Sequence, residues 1–221
     1  MTVDLVNFAR GPALKAAFII FFIGVVWRLV NVLLLKHTRD LSEPRRGVAA
    51  SLLGGLKAIG SRSWPHPEFI PRTGAGEALG YSYHIGLFIV ILFFAPHVAF
   101  FGSFVGLHWP SLPNSVNTII SVITFTLLLA VLFRRVTHRV LRRLSNFDDY
   151  FSWFVVTLVI VTGLMATAHV GGPYPTVLGL HILSFDLLLI WFPLGKLMHA
   201  FYLFPTRAID GYLLTRRGAP S

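Results

Sequence analysis

Five stretches of this chain are apolar for long enough to cross a bilayer, and this limits the fold more than any motif does. They run over 14–35, 81–107, 116–133, 150–169 and 177–204. A bilayer core needs about 20 apolar residues per helix. A backbone exposed to lipid must satisfy its own hydrogen bonds, and no long period-two alternation suggests a barrel, so each stretch is expected to be helical. The expected fold is therefore all-α, an integral membrane bundle of five transmembrane helices forming one membrane domain over 1–221. The first stretch is longer than a signal-peptide core and no small-residue cleavage pattern follows it, so it is expected to be retained. Composition agrees. Only 13% of residues are charged and 55% are hydrophobic, against about 25% charged in a soluble domain. The chain has no cysteine, which excludes disulfides, thiolate zinc sites, cysteine nucleophiles and iron–sulfur ligation by this chain.

The basic residues orient the bundle. The 36–79 segment carries Lys36, Arg39, Arg45, Arg46, Lys57, Arg62 and Arg72. The 134–149 segment carries Arg134, Arg135, Arg139, Arg142 and Arg143, and the end of the chain carries Lys196, Arg207, Arg216 and Arg217. The opposite side has only Arg10 and Lys15, and Arg28 lies inside the first stretch. The positive-inside rule then puts the N-terminus outside and the C-terminus in the cytoplasm, as an odd number of spans requires. The expected location is a prokaryotic inner membrane, crossed several times.

The 36–79 segment is the one long loop. Its 47–60 portion, GVAASLLGGLKAIG, is weakly amphipathic; it either lies on the membrane surface, docks a partner, or is an irregular linker broken by its four glycines. The SRSWPHPEFIPRTGAG stretch after it reads as loop. No repeat of 20–50 residues is present.

Histidine supplies the chemistry. Of nine histidines, His37, His66 and His138 fall in cytoplasmic loops and His108 in an outer one. His84, His97, His169, His181 and His199 fall within or at the ends of the apolar stretches, where a strongly polar side chain is a functional candidate by default. Asp186 is the only acid well inside a span, so a carboxylate-based proton relay lacks members. A zinc site would need tighter clustering. Neutral imidazoles acting as axial ligands to haem iron fit better, one from each of two facing helices.

Depth in the bilayer pairs them. With the second helix running outward and the fifth inward, His84 lies at the level of His199, and His97 at the level of His181. This predicts two stacked bis-histidine haems. His181 and His199 are 18 residues apart, five turns and about 27 Å on one helix face. His84 and His97 are 13 residues apart, which leaves them about 140° apart in direction on an ideal helix. Pro96 and Pro193 each break the ladder and can redirect a histidine. One of the four is otherwise a hydrogen-bonded contact between helices. His169 is either a substitute outer ligand, a quinone-headgroup contact, or an interfacial residue closing the fourth helix.

The 178–209 segment, LGLHILSFDLLLIWFPLGKLMHAFYLFPTRAI, resembles the last transmembrane helix of the respiratory nitrate reductase gamma subunit family. That family includes the cytochrome b subunits of sulfite-reduction-associated and heterodisulfide-reductase-like or hydrogenase-linked complexes. The resemblance rests on the two histidines, the gap between them and the PLGKLMHAF run, and five spans with the N-terminus outside extend it. It implies two b-type haems that exchange electrons between quinol or quinone and a cytoplasmic iron–sulfur subunit, with a catalytic subunit beyond. His181 and His199 match the ligands of the last helix. His84 and His97 match the second-helix pair by position, at a wider spacing than in nitrate reductase. On this reading the chain is the electron-transfer subunit of a quinone-linked oxidoreductase, not a complete enzyme.

The remaining candidates serve that reading. Arg28 and Lys196 are placed to pair with inner haem propionates, although Lys196 can equally snorkel to the interface. A bare charge at the bilayer centre costs about 2.5–3.5 kcal/mol on insertion scales, so Arg28 is expected to have a partner. Gly86, Gly102, Gly163 and Gly179 allow close approach of a macrocycle or a helix. Quinol oxidation near the outer face would draw on His169, Tyr174, His108 and Asp186, the last as proton acceptor. The sequence has no phosphate loop, G-x-S-x-G or metallohydrolase helix. Its basic loops lack the aromatic interleaving of a nucleic-acid surface and are expected to face anionic lipid and an acidic face of the iron–sulfur partner. The reading from another class is a haem-free anchor or small transporter whose histidines move protons or metal.

Overall fold

The computed structural model describes residues 2–36 and 43–219; His37 and Arg39 of the long loop lie outside the described residues. The chain is 81% helical, with no strand among the described residues. Five helical stretches are long and apolar enough to cross a membrane: Asp4–Leu33, Ile70–Phe93, Asn114–Thr137, Phe147–Ala168 and Tyr174–Trp191. The all-α class and the five spans follow from the apolar run lengths, as expected.

Helices α1 (Thr2–Phe8) and α2 (Leu14–Leu33) are joined by a π-helical turn over Ala9–Ala13. Pro12 sits inside that turn. It has no N–H to give the carbonyl four residues back, so the ladder widens, and the Leu14 N–H reaches Ala9 O instead. The remaining helices are α3 (Val48–Ser61), α4 (Ile70–Phe93), α5 (Ala95–Val105), α6 (Asn114–Thr137), α7 (Arg139–Leu144), α8 (Phe147–Ala168), α9 (Tyr174–Trp191) and α10 (His199–Arg216).

Three expectations are corrected. The fifth apolar stretch is not one helix. It stops at Trp191, and a short 3-10 turn over Lys196–Met198 precedes α10. Pro193 cannot donate to the ladder, and extended Gly195 resets the chain direction. The five-turn alignment of His181 with His199 therefore does not apply. The 70–76 part of the Pro- and Gly-rich stretch is helix, the first two turns of α4. Of the three alternatives for the glycine-rich 47–60 portion, the irregular linker is excluded: it is helix and packs on α10.

The residues form two compact units. One comprises Met1–Ile20 and Ala75–Trp191, the other Phe21–Gly74 and Phe192–Ser221. In the first, α8 and α9 form a hairpin in which the Trp191 indole donates to Ser152 Oγ at 2.9 Å, and Thr162 and Ser184 share a hydroxyl hydrogen bond of 3.0 Å. The start of α8 is closed by an Asn146–Asp149 capping box, and Asp149 pairs with Arg135 at 3.0 Å. Asn117, Ser121, Thr124 and Leu128 form one buried face of α6, at helical spacing. Gly86 on α4 lies against the Thr124 hydroxyl, where any Cβ would collide.

The second unit holds α3 and α10 side by side. Gly54, Gly55 and Ala58 of α3 meet Ala208, Gly211 and Thr215 of α10, and a Cβ on any of the three glycines would overlap the other helix. Small residues let two backbones approach and gain dispersion contact. Arg207 donates to Ser63 Oγ at 2.6 Å, and Arg62 pairs with Asp210 at 3.3 Å. The glycines that read as a linker are thus the contact surface of a helix pair, while Val48, Leu52, Leu53 and Leu56 remain exposed.

Candidate functional site

The second apolar stretch breaks where Pro96 requires it. Ala95, the residue before proline, is disfavoured in a helix interior, and Phe94 just ahead of it is extended (φ −75°, ψ 128°). Three carbonyls at the break have donors. Leu92 O, four residues before Pro96, accepts from the Trp109 indole at 2.6 Å. Phe93 O accepts from the Leu112 N–H at 2.9 Å and from Asn117 Nδ2 at 3.1 Å. Val90 O is shared by the Phe94 N–H and His97 Nδ1, at 3.3 and 3.0 Å. The break thus anchors the His97 ring by its δ nitrogen, with Phe94 edge-on at 5.2 Å.

His181 is fixed in the same way from α8. Its Nδ1 lies 3.2 Å from Thr162 Oγ1. Thr162 also contacts Ser184 Oγ, and Ser184 donates to His181 O at 2.7 Å. Gly163 leaves room for the ring, since a Cβ there would stand 3.0 Å from His181 Cε1.

The two rings meet. Their centroids are 6.1 Å apart and their planes differ by 17°. The δ nitrogens are occupied by oxygens, which leaves Nε2 of each ring for a metal and follows the usual outer-shell arrangement of ligating histidine. Among the described residues no group of three or more histidine or acidic side chains converges on a metal position. Two imidazoles alone would under-coordinate a free ion, whereas a porphyrin brings four equatorial nitrogens and needs only these two. The outer pair predicted from depth, His97 with His181, is brought together, and these two imidazoles would be the residues to hold a haem iron.

The inner pair is divided between the units. His84, in the first unit, has Nδ1 2.7 Å from Gly80 O and its ring against Tyr83 at 4.2 Å. His199, in the second, has Nδ1 2.8 Å from Lys196 O in the 3-10 turn. Both δ nitrogens are held as in the outer pair. Tyr202, one turn beyond His199, donates to Arg28 O at 3.2 Å, so Arg28 and His199 share a neighbourhood in the second unit. Arg28 and Lys196 are both exposed. Among the described residues no carboxylate is shown in an ion pair with Arg28.

The outer quinol group does not assemble as expected. His169 ends α8 in the left-handed conformation (φ 54°), with its ring 5.0 Å from Tyr174. The helix-closing role is therefore met. Asp186 lies twelve residues along α9 from Tyr174, about 18 Å, so His169 and Asp186 cannot touch one headgroup. His108 packs against Gly102. Thr162 and Ser184 were missed by the sequence reading. Their only signal there is two hydroxyl residues near a histidine in otherwise apolar helices.

Comparison with known proteins finds a relative in Nitratidesulfovibrio vulgaris, 31% identical over 225 residues, which cover 96% of this chain and 95% of that one. Its description states no activity. No family model and no solved structure matches.

Proposed function

This chain belongs to one family with the Nitratidesulfovibrio vulgaris protein, and we propose that it is a dihaem b-type cytochrome, the membrane subunit of a quinone-linked oxidoreductase. The observation that carries this reading is the His97–His181 pair, 6.1 Å apart and nearly parallel, with both δ nitrogens engaged. His97 and His181 hold the outer haem. Two further membrane-level histidines, His84 and His199, are the sequence-derived candidates for the inner haem, with Arg28 and Lys196 as candidate cations for its propionates. Two such haems would supply one-electron transfer across the bilayer, between quinol and an iron–sulfur partner that leads to a catalytic subunit.

The residues of the chain do the rest. Val90 O and Thr162 Oγ1 orient the two outer imidazoles and keep each in one tautomer. Phe94 and the apolar faces of α4 and α9 keep water from the site. His169 and Tyr174, at the turn between α8 and α9, form the polar end of a slot for a quinol headgroup. The basic 36–79 and 134–149 segments face the cytoplasm, which sets the N-terminus outside a prokaryotic inner membrane. They meet anionic lipid and an acidic face of the partner. The resemblance of 178–209 to the nitrate reductase gamma subunit family supports the same assignment. It is tested by an absorption spectrum of the purified chain. Dithionite should sharpen a b-type alpha band, and a protein without a Soret peak would overturn the proposal. No C-x-x-C-H is present, so a covalent c-type attachment is not expected.

A further inference from the structure

Asp186 is 4% exposed, and neither carboxyl oxygen has a hydrogen-bond partner. The quinol slot does not use it, being about 18 Å away along α9. What faces it follows from helix geometry within the first unit. Leu5 of α1 packs on Gly179 of α9. The π-turn, further along the same chain, also packs on α9. The first and fifth spans of a five-span bundle cross the bilayer in the same direction, so α1 and α9 run parallel in the topology proposed above. Two turns beyond Gly179 on the same face is Asp186, and seven residues beyond Leu5 is Pro12. By this register position 186 falls at the level of the widened turn, where proline has removed one backbone donor.

A bare carboxylate in such a place has no donor to stabilise it. The charged and titratable groups on the elements packed against it are few. On α1 and the turn they are Asp4 and Arg10, and on the first turn of α2 Lys15; all three side chains are exposed. On α8 the acids Asp148 and Asp149 lie at its far end, where Asp149 is paired with Arg135 and Asp148 accepts from Ser152. On α9 itself the nearest is His181, five residues back, about 7.5 Å along the axis and about 140° around it. Among the described residues of these elements no buried cationic side chain is shown beside Asp186, so a change of charge at the His97–His181 pair would act on it through a medium of low polarity.

We infer that Asp186 is a buried proton-binding site, placed against the π-turn at Pro12, which takes up a proton when the iron held by His97 and His181 is reduced. This rests on the haem reading for its trigger but not for the site itself. The balance is simple. One electron from the reductant converts ferric to ferrous iron, and one proton from water adds to an Asp186 carboxyl oxygen, so the net charge of the buried region is unchanged. Reoxidation removes both. The site ties electron transfer to proton movement deep in the helix bundle, away from the quinol slot.

Potentiometric titration of the detergent-solubilised full chain, read at the haem alpha band between pH 6 and 9, tests the coupling. Reduction that binds a proton becomes less favourable as pH rises, so the midpoint of one haem should fall by up to tenfold in the equilibrium, about 59 mV, per pH unit. Asp186→Asn should flatten that slope at unchanged haem content, and Asp186→Glu should keep it. His169→Ala, at the other site, should leave it intact. A flat wild-type profile, or an Asp186→Asn slope equal to wild type, would overturn the coupling. A colourless protein would overturn the haem reading instead. In that case infrared difference spectra decide on the site: a protonated carboxylic-acid band at pH 7 that is lost in Asp186→Asn supports it, and its absence overturns it.

Discussion

Thr162 Oγ1 lies 3.2 Å from His181 Nδ1, so a hydroxyl on one helix holds the δ nitrogen of a histidine on the next. Thr162 is itself tied to Leu158 O at 2.8 Å and to Ser184 Oγ. The imidazole is held by a chain of hydrogen bonds that ends on backbone and does not depend on a cofactor being present.

Thr162→Val should loosen that hold while preserving volume. Partners of this kind are worth about 10–100-fold in metal affinity. The expected result is weaker haem retention on dilution or in competition with apomyoglobin, with Thr162→Ser close to wild type. Equal retention in all three proteins would show that Thr162 only packs.

Trp109→Phe should leave Leu92 O without a donor at the Pro96 break. Loss of one such hydrogen bond costs about 0.5–1.5 kcal/mol. Thermal unfolding in detergent should shift downward, and the outer haem signal should broaden because Val90 and His97 lie on the same break. An unchanged transition would mean that water replaces the indole.

Gly211→Leu should separate α3 from α10, since any side chain there meets Ala58 and Gly54 O. Overpacking of this kind costs about 1–3 kcal/mol. Proteolysis within 43–69 should accelerate, while outer haem binding, which belongs to the other unit, should be unaffected. Protection equal to wild type would contradict the close helix contact.

Much of this was legible in the chain because bilayer thickness sets run length. Five apolar stretches gave five long helices. The Pro96 break was legible too, since a proline with no N–H must interrupt the ladder, and it is what turns His97 from its ideal-helix direction toward His181. Pro193 carried the same signal, but the apolar run across it concealed a full stop between Trp191 and His199. Gly54, Gly55 and Gly211 misled for the opposite reason. Glycine weakens an isolated helix, yet it is also what lets two helices touch, and only the partner helix distinguishes the two. Pairing by depth found His97 and His181. It could not find Thr162, because hydroxyls in apolar helices commonly bond their own backbone, as Thr118, Thr124 and Thr126 do here.

The isolation of Asp186 from His169 makes a further distinction. His169→Ala should raise the KM for quinol in a quinol-driven haem reduction assay, because the residue lies at the headgroup slot. Asp186→Asn should leave KM unchanged. Equal KM effects in both variants would return Asp186 to the quinol site.

The most direct measurement is haem stoichiometry by pyridine haemochrome on the purified chain and on His97→Ala and His181→Ala. The account predicts about two haems per wild-type chain and about one in either variant, with the same haem lost in both. Wild type without haem, or two haems retained after either substitution, would contradict it.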